Sequence, residues 1–422
     1  MKLKQAVVLA TALSLAPISA FAAKKAAPAA PKAVIPTLDA VLGASGINVS
    51  GTVDMSYDVS SADVQTGGAF GTAGSASFRQ FDTHPNSFVF HQLNLTISKQ
   101  WSNGLSLVVN SIYGDDANFL LGTRGAGTGA TAVGGSDWAL NQAYLSYTMG
   151  DLTVMGGKFV TLAGSEVINP AGNINASRSF LFTNLQPLTH VGVRGTYALC
   201  KGLTLTLGGV NTGAAGSPAI AGLAANGSTD SNSDISIESQ IAYTGGMFST
   251  AFTYITGDEG VAAGAPAGGL GADNRNVTLY DFVASVTPID ALTLGLNADI
   301  RTTDANGIAA VGNTVHDSGV AAYVNFKLTP KARVALRGEY ISLDTNVPEG
   351  GVGGEEFVFI NELTATFGYS PLSGLELLAE VRHDNMSGNA GTKVFPTVSF
   401  TNNAGGGQTY QQTGTLKAIY RF

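Results

Sequence analysis

From residue 46 onward the chain is a succession of segments of about ten residues in which apolar and polar positions alternate. In Leu292–Arg301 (LTLGLNADIR), Leu292, Leu294, Leu296, Ala298 and Ile300 fall on one side, and Thr293, Asn297, Asp299 and Arg301 on the other. A period of two is that of an extended strand with two unlike faces. The same sorting holds in Ile47–Tyr57, Leu93–Ser98, Val191–Tyr197, Ile235–Tyr243, Val334–Tyr340, Leu375–Arg382 and Thr413–Phe422.

Extended along the chain, the pattern predicts sixteen strands starting near residues 47, 88, 104, 138, 152, 190, 203, 234, 247, 276, 291, 318, 331, 357, 374 and 411. The links between them alternate strictly in length. Short ones, such as Met149-Gly150-Asp151 and Gly245-Gly246, follow the even-numbered strands. Long ones, approximately 59–86, 114–136, 161–188, 212–233, 256–275, 302–316, 344–355 and 385–408, follow the odd-numbered strands.

Composition decides which two media the faces meet. Only 12% of the residues are charged, about half the usual share of roughly 25%, so much of the exterior faces something other than water. With 44% hydrophobic residues the chain is no disordered segment. After residue 22 no run approaches the ~18 apolar residues of a spanning helix. The remaining way to cross a bilayer with every backbone group paired is a closed barrel. The expected fold is therefore all-β: a transmembrane antiparallel barrel of about sixteen strands, with short periplasmic turns and long extracellular loops. Strands running toward the short links finish with Trp101, Tyr147, Tyr197, Tyr243, Phe326, Tyr369, Tyr420 and Phe422, half of an interfacial aromatic girdle.

Residues 1–22 read as a signal peptide: Lys2 and Lys4, an apolar run from Ala6 to Leu15, then Ala20-Phe21-Ala22 as a cleavage pattern. Residues 23–45, rich in Ala and Pro at the start, read as a periplasmic tail, and 46–422 as the barrel. The destination is then the bacterial outer membrane. Twenty basic residues against 30 acidic ones after residue 22 exclude a nucleic-acid partner, which would require a basic patch.

The third long link differs from the rest. It carries Val167, Ile168, Phe180, Leu181 and Phe182, which would not be left in water, and it most simply folds into the barrel mouth. Its only two charges, Glu166 and Arg178, are then expected to project into the water column as a pore constriction. Inward positions of the strands give the lumen lining, with Asp54, Arg194, Asp299, Arg301, Arg337, Glu339, Glu380 and Arg382 as its principal charges. Eight inward acids balance eight inward bases. A wetted polar wall passes hydrophilic solutes, and the same charges can form ion pairs that brace it.

Gly157-Lys158-Phe159, Gly164-Ser165-Glu166-Val167-Ile168-Asn169, Ser177-Arg178-Ser179-Phe180-Leu181-Phe182 and Pro187-Leu188-Thr189-His190-Val191-Gly192-Val193, with Val49–Tyr57 of the first strand, resemble the putative β-barrel porin-2 (OmpL-like) family. The resemblance implies an outer-membrane channel for small hydrophilic solutes or ions, narrowed by the loop after the fifth strand. A homotrimer is common among sixteen-stranded porins, by analogy of fold. The terminal Leu416–Phe422, with Tyr420 and Phe422, is similar to the signal that such barrels present to the barrel-assembly machinery.

Enzymatic readings find little support. His84, His91, His190, His316 and His383 lack metal-ligand spacing, and no Cys-x-x-Cys-His or Gly-x-Ser-x-Gly motif is present. No cofactor is expected; Asp115-Asp116 and the acids within Thr229–Asp234 could hold Ca²⁺ outside the cell, but such groups are more often solvated loop residues. Two alternatives stand beside the channel: a barrel that sheathes a partner such as a multihaem cytochrome in an electron conduit, and a structural or adhesive barrel whose loops do the work.

Overall fold

A computed structural model describes residues 37–61, 79, 81–82, 86–120, 137–211, 234–259, 275–304, 314–344, 357–388, 400–401, 407–408 and 410–422. The predicted signal peptide, nearly all of the predicted tail and most of the long loops other than the third lie outside the described residues. Leu38–Ser45, expected to belong to that tail, form a helix, α1, which ends at Gly46 with φ +68°.

The barrel strands are β1 (Ile47–Ser60), β2 (Ser87–Gln100), β3 (Leu105–Tyr113), β4 (Trp138–Met149), β5 (Leu152–Val160), β6 (Thr189–Cys200), β7 (Leu203–Val210) and β8 (Ser236–Gly245). They continue as β9 (Phe248–Glu259), β10 (Arg275–Ile289), β11 (Leu292–Thr303), β12 (Val315–Thr329), β13 (Ala332–Asp344), β14 (Phe357–Leu372), β15 (Leu375–Gly388) and β16 (Tyr410–Arg421). Each pairs antiparallel with its sequence neighbours, and β16 pairs with β1 to close the barrel. Every strand start predicted from alternation lies within a few residues of the observed one.

Closure removes the exposed edges an open sheet would present, and its seam is made by the chain's ends. Thr52 lies opposite Arg421 and Tyr57 opposite Leu416. Beyond the ladder, Gly51 and Phe422 exchange both backbone hydrogen bonds at 3.0 Å. The Phe422 ring covers Gly51 so closely that a β-carbon there would collide with it.

The two faces sort as the alternation requires. Asp299 and Arg301 are buried inside while Ile300 between them is exposed outside. Tyr147, Tyr197, Tyr243, Phe326, Tyr369, Tyr420 and Phe422 are exposed at the short-turn end, and the Lys99 ammonium lies 5.0 Å above the Trp101 ring. Among the described residues, two bulges interrupt the alternation away from the short turns. Asp54 faces Gln92 but Met55 faces Phe90, leaving His91 as the extra residue of β2; Asn141 is likewise extra in β4. A bulge re-aims side chains, so His91 and Gln92, adjacent in sequence, are both buried.

Unboiled protein in SDS should run as a folded barrel and shift on boiling. Gly51→Val, which sets a branched side chain against the Phe422 ring, should lower the heat-modifiable fraction recovered from outer membranes, measured on the same gels.

Candidate functional site

Residues 161–188 leave β5, run across the inside of the barrel and return to β6. The loop contains a short 3-10 turn, Pro170–Gly172, and a one-turn helix, α3 (Phe180–Asn184), capped by the Ser179 side chain, which accepts from the Phe182 N–H at 3.0 Å. Its apolar side chains have sockets on the inner wall. Phe180, Leu181 and Leu185 pack with Ala321, Tyr323, Ile341, Leu343, Val358 and Ile360 of β12–β14. Ile168, Phe182 and Leu188 pack with Phe81 of the first loop, Ile112 and Ala139 of the wall, and Ala117 and Leu120 of α2 (Asp115–Leu120) in the second loop. Ala163 and Ala176 fill smaller sockets beside Leu279 and Ile419. At ~1.5–3 kcal/mol for each large apolar side chain withdrawn from water, these contacts offset part of the entropy of ordering the loop. Val167 departs from expectation. It is 45% exposed, because Asn173 bonds both its N–H (2.9 Å) and its carbonyl (2.8 Å) and turns it away from the wall.

The polar contacts follow one rule: wall carboxylates accept loop N–H groups, and wall guanidiniums donate to loop carbonyls. Glu380 accepts from the N–H of Ala176 (2.6 Å) and Ser177 (3.0 Å), and Glu339 from those of Phe180 (2.8 Å) and Leu181 (2.5 Å). Asp281 accepts from Gly164 at 3.1 Å. Arg337 donates to the Ser177 carbonyl (2.8 Å), Arg382 to that of Arg178 (2.6 Å), Arg301 to that of Asn184 (2.8 Å), Arg333 to that of Ile174 (2.6 Å) and Arg421 to that of Ala171 (2.9 Å). Asp299 is reached through a loop side chain, accepting from Gln186 Nε2 at 2.7 Å.

The charges expected to project into water are buried instead. Glu166, 8% exposed, accepts from Arg337 (2.8 Å) and from the Ser179 N–H (2.8 Å). Arg178, 4% exposed, donates to the Ile168 carbonyl at 2.7 Å and lies 5.3 Å from the centre of the Phe81 ring. The reason is the cost of leaving a charge unpaired in a filled interior. The eight residues expected to line a wetted lumen all point inward, but they too are buried, against the loop or against each other. Asp54 pairs with Lys417 (3.1 Å), Arg194 with Glu238 (2.6 Å), Arg301 with Asp317 (2.5 Å), Arg337 with Glu362 (3.0 Å) and Arg382 with Asp384 (2.6 Å).

The expectation of a solvated Asp115-Asp116 fails as well. Asp116 is buried and accepts from Gln92 Nε2 at 2.8 Å, with its other oxygen 3.3 Å from His91 Nδ1. Burial works to raise this carboxyl, but the His91 hydrogen bond and the charges of His91, Arg178 and Lys417 outweigh it and hold it below the ordinary carboxylate value. His91 Nε2 in turn lies 2.7 Å from Ser56 Oγ. This is the spacing of a nucleophile–base–acid triad. Here, however, the Ser56 hydroxyl donates to Asp58 Oδ2 (2.5 Å), and all three residues are buried, so the cluster pins α2 to the wall. Sequence spacing missed it because the bulge at His91 breaks the alternation.

Toward the short-turn end the inner wall of β4–β11 is neutral. Thr148 meets Thr153, Thr196 meets Thr206, Thr244 meets Ser249 and Thr287 meets Thr293, at 2.9–3.2 Å, and in each pair either hydroxyl can donate. Among the described residues no group of three or more His, Cys, Asp or Glu side chains could hold a metal ion.

Comparison with known proteins agrees with this architecture. The family model described as putative beta-barrel porin-2, OmpL-like, matches residues 46–422, the whole barrel. The chain belongs to the porin-2 family. As a member of that family it is an outer-membrane porin. No curated protein sequence matches it. Among solved structures, an anion-selective porin from Comamonas acidovorans superimposes with a TM-score of 0.54 at 12% identity, covering 89% of this chain and 99% of that one. OmpT of Vibrio cholerae expressed in the outer membrane gives 0.52 at 11%, covering 89% and 97%, and its in-vitro folded trimer form 0.51 at 11%, covering 89% and 99%. At such identities the likeness is one of fold.

Removing one partner of a buried ion pair strands the other, at about 3–5 kcal/mol. Arg337→Ala, which strands Glu166 and leaves Glu362 only the more distant Arg382, should therefore release the porin's third loop. Trypsin, which should spare Arg178 in the parent barrel, should cut there in the variant, as read by mass spectrometry of the unboiled protein.

Proposed function

We propose that this porin passes small hydrophilic solutes by passive diffusion, with the loop at residues 161–188 as the element that sets the narrowest point. The observation that carries this reading is the loop's attachment to the inner wall from β8 round to β2, through Gln240, Asp281, Asn297, Arg301, Glu339, Arg337, Glu380, Thr52 and Gln92. A loop so held controls whatever section of lumen is left. The same occupancy argues against the sheath reading, since the loop takes the space that a threaded partner would need.

Charge selectivity follows from the pairing. Glu166 is paired with Arg337, and Asp54, Glu238, Asp317, Glu362, Glu376 and Asp384 each have a basic partner within the barrel, which weakens the field that unpaired charges would exert in a low-dielectric passage. We propose weak preference between cations and anions, unlike the anion selectivity that names the Comamonas acidovorans porin. The channel reading involves no catalysis and no cofactor. Insertion by the barrel-assembly machinery through the terminal strand with Tyr420 and Phe422, and association into a homotrimer, complete the proposal; one of the structures with this fold is a trimer form.

Planar-bilayer recording tests it. Deleting residues 165–184 should raise single-channel conductance. Glu339→Ala, which leaves the Phe180 and Leu181 N–H groups without their acceptor at ~1–3 kcal/mol each, should lengthen large-conductance intervals by roughly thirtyfold or more. A parent reversal potential near zero under a KCl gradient is expected. If the deletion conducts as the parent does, the loop does not set the narrowest point.

A further inference from the structure

In the second long link, α2 is fixed to the wall by a chain of four polar side chains. Asp116 Oδ1 lies 3.3 Å from His91 Nδ1, His91 Nε2 lies 2.7 Å from Ser56 Oγ, and Ser56 Oγ lies 2.5 Å from Asp58 Oδ2. All four residues are buried, and at these distances no water fits between the partners. The remaining carboxylate oxygens are taken as well: Asp116 Oδ2 accepts from Gln92 Nε2 at 2.8 Å, and Asp58 Oδ1 from Thr415 Oγ1 at 2.6 Å.

Three contacts in series need three hydrogens. A serine hydroxyl brings one and a neutral imidazole brings one, whereas an ionised carboxylate only accepts. The third is a proton taken from solution. With it both His91 nitrogens donate, Nδ1 to Asp116 and Nε2 to Ser56, whose own hydrogen goes to Asp58. Moving that proton onto either carboxylate changes which group carries the charge, but not the number of protons held. Once Asp116 leaves, two contacts remain, and Ser56 with a neutral His91 satisfies both of them. Docking of α2 and uptake of one proton are therefore a single event.

We propose that this chain of side chains is a proton-operated latch: α2 docks on the wall with one proton bound and comes free when the proton is lost. The charges facing it are Asp54 on β1, Lys417 on β16, Arg178 in the third loop and Asp82 in the first long link, with Asp115 the other charge on α2. Among all these residue types only histidine ordinarily changes charge between about pH 5 and 8. A released histidine is protonated only below about pH 6.5. Below that value both states hold the proton and docking is at full strength; above it only the docked state does, so docking weakens as pH rises. The effect reaches the loop at residues 161–188, because Ala117 and Leu120 of α2 pack with its Ile168, Phe182 and Leu188, and Gln92 donates to both Asp116 and the Ile168 carbonyl. The latch requires the barrel wall but no particular solute, so it stands apart from the diffusion reading.

Hydrogen–deuterium exchange of the full chain in detergent, corrected for the pH dependence of free amides, tests the latch on peptides covering α2. Protection should be level below about pH 6.5 and fall roughly tenfold per pH unit above it, the slope of a single proton. Asp116→Asn sets an amide N–H against His91 Nδ1 while its oxygen still accepts from Gln92, so the third hydrogen no longer comes from solution. Its protection should match that of the parent at acid pH and stay level throughout. A level profile in the parent, the parent's slope persisting in Asp116→Asn, or loss of protection in that variant at every pH would overturn the latch. The parent profile decides alone should the variant lack the heat-modifiable band of a closed barrel. Loss of that band in the parent would instead overturn the barrel reading.

Discussion

In this barrel the wall binds a stretch of its own chain by the backbone. Water is what usually satisfies the N–H and C=O groups of a loop without regular structure, and most of that water is displaced when residues 161–188 enter the lumen. Each displaced partner has to be replaced, because a buried backbone group left alone costs as much as a lost hydrogen bond. The ionised side chains of β10–β16 do the replacing: Glu339 and Glu380 take pairs of successive N–H groups, and Arg301, Arg333, Arg337, Arg382 and Arg421 take carbonyls. Bonds to ionised groups are the stronger kind, so the loop is held firmly although it has only one turn of α-helix.

The wall arginines can do this because each is also ion-paired. Arg337 is shared between Glu166 of the loop and Glu362 of the wall, and Arg382 lies 3.7 Å from the same Glu362 and 2.6 Å from Asp384. An isolated guanidinium in this interior would carry a desolvation penalty that its carbonyl bonds alone would not cover. Ion pairing and loop binding are thus one network.

How much of this the sequence discloses follows from the period of the strands. Alternation between lipid and interior repeats every two residues, so strand number, the inward set and the register are legible wherever the repeat is unbroken, as in β11 and β13. It fails at His91 and Asn141, where one inserted residue shifts the phase, and the Ser56–His91–Asp116 cluster is hidden there. It also misleads where the inner wall turns apolar. Ile341, Leu343, Val358 and Ile360 are inward, and only contact with Phe180 and Leu181 explains them. The orientation of Glu166 and Arg178 was illegible for a related reason. Their partners include Arg337, 171 positions from Glu166, and a backbone carbonyl, which no side-chain pattern announces.

The paired hydroxyls along the lower wall of β4–β11 have a consequence for anything that crosses. A threonine or serine hydroxyl turns about one bond, and in Thr148–Thr153 or Thr287–Thr293 either partner can present its hydrogen or its lone pairs. A sugar hydroxyl, an amide or a hydration water arriving there finds a complementary group after a rotation, whichever polarity it brings. Such a surface exchanges partners quickly and holds none of them. A hydrophilic molecule meeting this wall therefore finds no fixed donor or acceptor to trap it.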